Sequence, residues 1–531
     1  MWKVLTATIA LVIGWAGVSS QAFHAYAQSE QAVIIEGTVQ NEREVPLPGA
    51  NVVATAEDGD TTIGVATDAR GAFRLPVPAG TYTIEASVVG YATGVRTVTV
   101  GDEATEGVVF TLSEAPLGLD EIVVRRASLT GGLRNLDGIP GSAQYISPEE
   151  LDTHSYTNPH RILGSVPGVY VVEEDGYGLR PNVGMRGTGA ERSSKITVME
   201  DGVLAAPAPY AAPSAYYFPT IGRAHAVEVR KGSSQIKTGP YTTGGALNML
   251  STPIPDAFSG RVNAIAGSDE ERQLHAYAGD SFEHFGYLVE TFQTRADGFK
   301  DITGFANADA GLDYSTGFDK QDYLAKARLN TGTDARIPQS LTLTATRTTE
   351  TSNETYLGLT QADFERSPFR RYAGSQNDQM NTEHSRLQAR HAIQPAERLD
   401  ITTTLYRTDF QRNWYKLDSV DGVGIGSLLA NPNENSRALA RVQGRETGGS
   451  LLVKNNNREY YTQGIQTSIG YAFDSGSITH NLEIGGRYHE DEIDRFQWED
   501  EYRMADRGAM ELVSEGIPGT ESNRVTEATA W

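Results

Sequence analysis

The 531-residue chain contains no cysteine. This absence excludes disulfide frameworks, thiolate metal sites and a cysteine nucleophile. Positive charge is also scarce, because 45 Lys and Arg face 68 Asp and Glu and the formal net charge is −23. Such an acidic chain argues against nucleic-acid binding, since phosphate backbones require basic surfaces.

Catalytic motifs are missing as well. The sequence has no HExxH, GxSxG or GxxxxGK[ST] pattern, and its ten histidines are scattered without ligand spacing. Residues Gly187–Arg192 begin like a dinucleotide-binding loop but lack its third glycine, which favours a turn. We therefore expect a protein that is not an enzyme, with no catalytic residues, no cofactor and no metal site.

Long apolar runs are absent beyond the amino terminus. Residues 1–27 are predicted to be a secretory signal peptide, because Lys3 precedes the apolar stretch Val4–Val18 and Ala25-Tyr26-Ala27 is a small-x-small cleavage site. The stretch is shorter than the roughly 20 residues that span a bilayer, although a short membrane anchor is the alternative. A mean hydropathy of −0.38 excludes a multi-helix membrane protein but allows a β-barrel, whose strands are only half apolar.

Residues 28–112 are predicted to form a small β-sandwich. Short strand-like segments alternate with Gly, Pro and Asp turn residues, such as Arg70-Gly71, at a spacing of roughly 8–12 residues. The segments Gly37–Val39, Pro48–Val52, Thr67–Phe73 and Gly80–Tyr82 resemble the carboxypeptidase regulatory-like domain. That module carries no peptidase chemistry of its own, so the resemblance implies no enzyme.

Residues 113–127 are predicted to be a linker that contains a short apolar strand segment. The segment consists of Leu119, Asp120, Glu121, Ile122, Val123 and Val124. Such a segment can add as an extra strand to the sheet edge of a partner. The alternatives are a last strand of the sandwich or a first strand of the next domain.

Residues 128–253 are predicted to form a compact α/β domain, with helices that start at Ser147-Pro148 and at Asn158-Pro159. The distinctive segments are Ile162–Val169, Pro181–Gly187, Ile196–Val203, Val227–Gly232 and Gly239–Asn248. Their order and spacing resemble the plug domain of TonB-dependent outer-membrane receptors, most closely those of the ferric-dicitrate siderophore type. The resemblance implies that Leu119–Val124 is the TonB box, the segment that pairs with the TonB energy-coupling protein.

Residues 254–531 are predicted to be part of a transmembrane antiparallel β-barrel. Apolar and polar residues alternate, as at Tyr323–Asn330 and Leu341–Thr346, which fits a lipid face and a lumen face. An exported soluble β protein is the alternative. The predicted fold class is therefore mainly β: a β-sandwich, an α/β plug and an incomplete barrel of about ten of the 22 strands that the family has.

Predicted turns and loops alternate between short and long along the barrel. Asp280–His284 and Gln394–Arg398 are short, as periplasmic turns are, and Thr349–Gln379 and Asp418–Asn457 are long, as external loops are. The acidic segment His489–Glu501 is predicted to be a solvated external loop, with a cation-binding loop as the alternative.

The resemblance places candidate ligand contacts at the plug apex and in one external loop. Arginine and lysine bind anionic chelates by charge-assisted hydrogen bonds, and tyrosine offers an apolar face with a hydroxyl group. An ordinary loop salt bridge is the alternative for each arginine. The candidates are Arg192, Lys195, Tyr210, Tyr216 and Tyr217 at the apex, and Arg370 and Arg371 in the loop.

These features predict TonB-dependent active import of a ferric chelate, such as ferric citrate or another siderophore, across the Gram-negative outer membrane. The implied partners are TonB with its inner-membrane motor complex, the ferric chelate and outer-membrane lipid, with no nucleic acid. The N-terminal domain is expected in the periplasm. The alternatives are import of an oligosaccharide or another nutrient, and a secreted β-rich adhesin or scaffold.

Overall fold

The computed structural model of this chain describes residues 33–56, 62–88, 91, 94–101, 105–112, 129, 141–154, 158–232, 238–239, 243–303, 315–331, 335–353, 356–476 and 478–531. These residues fall into two compact units on either side of the boundary between Leu117 and Gly118. The predicted signal peptide and the strand segment Leu119–Val124 lie outside the described residues. In the described part of the chain, no α-helix has the length and apolar composition needed to cross a bilayer.

The first unit is a β-sandwich of two sheets. Its strands are β1 (Val33–Asn41), β2 (Asn51–Ala56), β3 (Thr62–Ala66), β4 (Ala72–Val77), β5 (Gly80–Ser87), β6 (Gly94–Val100) and β7 (Thr105–Leu112). The sheets have the orders β4-β1-β7 and β3-β2-β5-β6. Buried Phe73, Leu75 and Val77 alternate with less buried residues along β4, so this strand sends every second side chain into the core between the sheets.

A glycine makes the turn into β4. Gly71 has φ 70°, a left-handed conformation that side chains rarely adopt. A Cβ atom at this position would also lie 2.5 Å from the carbonyl oxygen of Val39. The arrangement confirms the Arg70–Gly71 turn that the sequence predicts.

The second unit begins with an α/β domain, which we call the plug. Its elements are β8 (Ser142–Ile146), α1 (Pro148–His154), α2 (Pro159–Leu163), β9 (Val169–Val172), β10 (Asn182–Met185), β11 (Ile196–Glu200), β12 (Val203–Leu204), β13 (Ala224–Lys231) and β14 (Gly245–Ser251). Five strands form a mixed sheet of order β12-β11-β14-β13-β8, and β9 and β10 form a hairpin. The helices begin where the sequence predicts: the Glu150 N–H donates to Ser147 Oγ at 3.2 Å, and the His160 N–H donates to Asn158 Oδ1 at 2.9 Å.

A long antiparallel sheet, which we call the wall, follows the plug in the same unit. Its main strands are β15 (Ser259–Ala266), β16 (Arg272–Ser281), β17 (Phe285–Ala296), β19 (Phe318–Asn330), β20 (Gln339–Ser352), β22 (Gln379–Ala396), β23 (Leu399–Val420), β25 (Gly448–Ser475), β26 (Ile478–Met504), β27 (Met510–Ser514) and β28 (Ser522–Ala530). Each strand pairs with the next of these along the chain, except that β27 and β28 both pair with β26. The turns at Asp280–His284 and Gln394–Arg398 are short, as predicted.

The wall has an apolar outer face and a polar inner face. Leu343, Leu405 and Ile484 are 48%, 52% and 59% exposed, whereas Asp322 and Arg386 are buried against the plug. A soluble sandwich would bury the apolar face instead. The alternation that the sequence predicts is therefore present, with the apolar side chains on the outside as in a membrane barrel.

The long connections between wall strands pack on one another. They contain β18 (Asp301–Thr303), α3 (Gln361–Arg366), β21 (Arg370–Tyr372), β24 (Val423–Gly424), α4 (Ile425–Ala430) and α5 (Ser436–Val442). Their buried apolar side chains form a separate core that includes Tyr372, Leu428 and Val442. The second loop is shorter than predicted, because β23 continues to Val420 and β25 begins at Gly448.

One loop prediction is wrong. The acidic segment His489–Glu501 lies inside β26 and pairs with β25 along its length. Its inward side chains are buried against the plug. Asp491, for example, accepts hydrogen bonds from the backbone N–H groups of Tyr210 and Ala211 in the plug, both at 2.8 Å. The carboxylates thus have protein partners, which overrides the tendency of an acidic run to stay solvated.

Candidate functional site: the plug apex and the plug–wall contact

Buried charges join the plug to the wall. Glu200 ends β11, and Arg223 lies in a one-turn 3-10 helix before β13; these two plug residues pair at 2.7 Å. From the wall, Asp322 of β19 accepts a hydrogen bond from Arg223 Nε at 2.7 Å, and Arg386 of β22 pairs with Glu200 at 3.1 Å. We call these four residues the buried ion cluster. It balances two carboxylates with two guanidinium groups, so no net charge is buried.

Asp201 extends these contacts below the buried ion cluster. Its carboxylate accepts the Ser251 N–H at 2.9 Å, and its backbone oxygen accepts a hydrogen bond from Arg390 of the wall at 2.5 Å. Although burial acts in the opposite direction, Lys326, Arg386 and Arg390 lower the pKa of Asp201 below its ordinary range. The carboxylate is therefore ionised and fixes the end of β11 to Ser251 of the plug, while the backbone oxygen of Asp201 joins this segment to the wall.

A second cluster of charged and aromatic side chains lies at the plug apex. Arg412 of β23 holds its guanidinium 3.9 Å from the ring centroid of Tyr216, and Arg192 and Arg458 lie 5.3 and 5.5 Å from the same ring. These distances are within the range of cation–π contacts. Plug residues Arg192 and Tyr216 thus meet side chains of two wall strands.

Aromatic rings and a lysine complete this cluster. Lys416 Nζ lies 4.4 Å from the Tyr356 ring centroid and 4.9 Å from that of Trp414, and these two rings contact each other edge to face at 4.9 Å. Arg192 also lies 5.5 Å from the Trp414 ring. We call the whole group the cationic cup; it consists of Arg192, Tyr216, Tyr356, Arg412, Trp414, Lys416 and Arg458.

The cationic cup has an excess of positive charge. Arg192 forms a bidentate pair with Glu174 at 2.5 and 2.6 Å, whereas Arg412, Lys416 and Arg458 form no ion pair with any described residue. Arg412 is 2% exposed, and among the described residues its guanidinium group has the Tyr460 hydroxyl nearby but no acidic partner. Although burial acts in the opposite direction, Arg412, Arg458 and Arg192 lower the pKa of Tyr216. The cup is thus a positive site in a chain of net charge −23.

The backbone that presents Arg192 is strained. Arg192 and Ser193 have φ values of 48° and 52°, which non-glycine residues rarely adopt. The Asn182 side chain accepts the Arg192 N–H at 2.8 Å, and Ser193 Oγ donates to the Pro181 carbonyl at 3.0 Å. Strain that the surroundings hold in place is concentrated at functional sites, and here it fixes the entry of Arg192 into the cup.

The structure brings together two of the five apex residues that the sequence predicts, Arg192 and Tyr216. Lys195 is exposed to solvent. Tyr210 packs near the wall with its ring 4.9 Å from that of His489. Tyr217 is 5% exposed and stacks on His384 of the wall, so its ring contacts protein.

The two predicted loop arginines lie on β21, which pairs with β18. Arg371 Nη1 donates to the carbonyl oxygen of Pro368 at 2.9 Å, and the Arg370 guanidinium lies 6.0 Å from the Tyr372 ring. Their ligand role stays a prediction.

The residues on the wall side of the cup were not predicted from the sequence. Arg412, Trp414 and Lys416 alternate along β23, so they share its inner face. The pattern Arg-x-Trp-x-Lys was the available signal, because three large cationic or aromatic residues at every second position suit a ligand more than a lipid face. Among the described residues, no group of His, Asp and Glu side chains converges as a protein metal site requires.

Comparisons with known proteins agree with this architecture. The carboxypeptidase regulatory-like domain family matches residues 34–113, and the TonB-dependent receptor plug domain family matches residues 135–246. The structure is similar to that of the ferric citrate transporter FecA in its unliganded form, with a TM-score of 0.57 and 17% identity over 75% of this chain and 53% of FecA. This chain therefore spans about half the length of FecA.

Two further solved structures have the same fold. The open form of the ferric-catecholate import receptor Fiu from E. coli K12 has a TM-score of 0.52 and 13% identity over 74% of this chain and 66% of Fiu. The pyoverdine receptor FpvA from Pseudomonas aeruginosa PAO1, bound to pyoverdine, has a TM-score of 0.51 and 12% identity over 78% of this chain and 55% of FpvA. Residues 135–246 thus match the plug domain family of TonB-dependent receptors, and the chain shares the fold of these three solved receptors.

Proposed function

We propose that this protein imports an anionic ferric chelate, with ferric citrate or a related siderophore as the first candidates, across the outer membrane. The observation that supports this proposal most directly is the cationic cup. Its buried Arg412 has no acidic partner among the described residues, and such a guanidinium gains most from an incoming carboxylate. FecA, a ferric citrate transporter, has the same fold, which agrees with the proposal.

The chemistry of the cup suits a chelate that is both charged and partly apolar. Guanidinium groups bind carboxylates through parallel hydrogen bonds, while Trp414 and Tyr356 provide flat apolar faces. A neutral oligosaccharide would also stack on these rings. It would, however, leave the positive charges of Arg412, Lys416 and Arg458 without compensation.

The energy for import would come from the cell interior through a partner protein. We propose that Leu119–Val124 is the TonB box and adds as a strand to TonB, which is driven by its inner-membrane motor complex. The exposed apolar face of the wall supports a place in the outer membrane, in contact with lipid. The N-terminal sandwich would then lie in the periplasm.

Binding can be tested with the receptor purified in detergent. Trp414 lies in the cup, so ferric dicitrate should change tryptophan fluorescence, and isothermal titration calorimetry should give a dissociation constant. Arg412→Gln should weaken binding by at least tenfold, since a charge-assisted contact contributes about 1.5–3 kcal/mol. Arg407→Gln is the matched control, because Arg407 lies on the outer face of the same strand and pairs with Asp409.

The outcomes separate the candidate ligands. Binding of a maltooligosaccharide in place of ferric dicitrate and ferric siderophores would refute the ferric chelate and favour sugar import. Deletion of residues 119–124 should abolish growth on the chelate as the only iron source while binding is retained. Uptake that survives this deletion would contradict the assigned TonB box.

A further inference from the structure

Two neighbouring tyrosines of one plug loop contact different parts of the molecule. Tyr216 lies in the cationic cup with the Arg412 guanidinium 3.9 Å from its ring centroid. Tyr217 is buried between plug and wall. A movement of the backbone at this dipeptide would therefore shift contacts at both places.

Tyr217 has a specific partner on the wall. Its ring stacks on His384 of β22 with a centroid distance of 3.5 Å and an interplanar angle of 2°. Phe410 of β23 lies beside both rings, at 6.1 Å from Tyr217 and 6.4 Å from His384. At this distance and angle the two rings overlap almost fully, so a shift of Tyr217 changes its contact with His384 directly.

This stack adjoins the buried ion cluster. His384 and Arg386 are two residues apart on β22 and share its inner face, and Arg386 pairs with Glu200 at 3.1 Å. Burial, followed by the carboxylates of Glu200 and Asp322, raises the pKa of Tyr217 above its ordinary range. The Tyr217 hydroxyl therefore lies in the field of the ion pairs that hold the plug to the wall.

We propose that Tyr217, through its stack on His384, couples the state of the cationic cup to the strength of the buried ion cluster. Filling the cup moves Tyr216, the adjoining Tyr217 is drawn off His384, and the contact between Glu200 and Arg386 is weakened. Tyr217 is a positioning residue in this scheme and does not touch the ligand. The inference rests on the proposed function only for what fills the cup; the coupling is a property of the unliganded protein.

The test perturbs the cup without any ligand. Arg412→Gln removes the cation nearest Tyr216, and hydrogen exchange with mass spectrometry follows the backbone amides of residues 196–201 and 220–224 in the detergent-purified full chain. In the otherwise unchanged protein, Arg412→Gln should alter their exchange rates by about fivefold or more, the range of typical coupling energies. In the Tyr217→Leu background the same change should have less than about a twofold effect, because the connection is broken.

Further variants separate coupling from general destabilisation. His384→Ala should abolish the effect of Arg412→Gln from the wall side, and Tyr217→Phe should retain it, because the ring is kept. Thr462→Val is the matched control: Thr462 Oγ1 donates to the Pro207 carbonyl at 2.6 Å and holds the same loop at another point, so the effect should persist.

An effect of Arg412→Gln that survives both Tyr217→Leu and His384→Ala, or that is absent from the otherwise unchanged protein, overturns the inference. Failure of ferric chelates to bind would refute the proposed function alone, since no ligand is used here.

Discussion

Replacing the Asp322 carboxylate with a neutral group should strongly destabilise the packing of the plug against the wall. Asp322 accepts three hydrogen bonds, from Arg223 at 2.7 Å, Thr220 at 2.6 Å and Thr348 at 2.9 Å. Asp322→Asn keeps the shape of the side chain but removes the only wall carboxylate of the buried ion cluster, so Arg223 keeps Glu200 as its partner there, while Arg386 has Glu200 at 3.1 Å and Asp201 at 3.9 Å. Removing one partner from a buried ion pair costs about 3–5 kcal/mol, and we expect a loss in this range.

Hydrogen exchange of the plug amides in the detergent-purified receptor would measure this loss as a change in opening free energy. Asp409→Asn is the matched control, because Asp409 forms an exposed ion pair with Arg407 on the outer face of the wall. The control should change the opening free energy by less than about 0.5 kcal/mol. A loss below about 1 kcal/mol for Asp322→Asn would show that the buried pairs do not hold the plug, and the reasoning would then be wrong.

Three further predictions concern other parts of the molecule. Burial raises the pKa of Asp378, beside the loop core, to about 8. Because this folded-state pKa lies above the ordinary value of about 4, Asp378 stabilises the folded state fully below about pH 4, and this stabilisation is lost as pH rises through 8. Proteolysis of the loops should therefore be faster at pH 9 than at pH 6, and Asp378→Asn should remove this difference. Asp491→Asn weakens the acceptor for two plug N–H groups, both at 2.8 Å, so exchange of residues 207–217 should accelerate by an amount equivalent to about 1.5–3 kcal/mol. Ile35→Ala in the sandwich core should lower the unfolding free energy of that unit by about 2–5 kcal/mol, measured by denaturant titration with hydrogen exchange.

Local patterns in the sequence predicted much of the fold. Helix starts at Ser147 and Asn158, turn residues such as Gly71, and the alternation at Leu341–Thr346 each depend on neighbours within a few positions. These local features could therefore be predicted without knowledge of contacts between distant parts of the chain. The resemblance to plug domains then supplied the architecture that periodicity alone left open.

The candidate site was harder to predict because it depends on long-range register. Arg412 and Arg458 lie 196 and 242 residues after Tyr216 in the chain. They contact its ring only when β23 and β25 have their observed registers. The acidic run at His489 was misassigned for the same reason, since Asp491 finds its partners across the plug–wall contact. Tyr217 was predicted to face ligand, but His384 covers its ring.

The polar character of the plug–wall contact bears on how a plug could move during transport. Separating an apolar interface would cost about 25 cal/mol for each Å² of apolar surface exposed to water. Hydrogen-bonding groups such as Thr462 and Arg390 can instead exchange protein partners for water, at a net cost of about 1 kcal/mol each. The expensive steps are the fully buried charges of the ion cluster, since these must be separated as well as hydrated. A second buried pair, Arg180 of the plug with Glu350 of β20 at 2.5 Å, adds to this cost. Under the proposed function, a pulling partner would therefore meet most of its resistance at the buried ion cluster and at this pair, and weakening these ion pairs first would be the most effective way to release the remaining contacts.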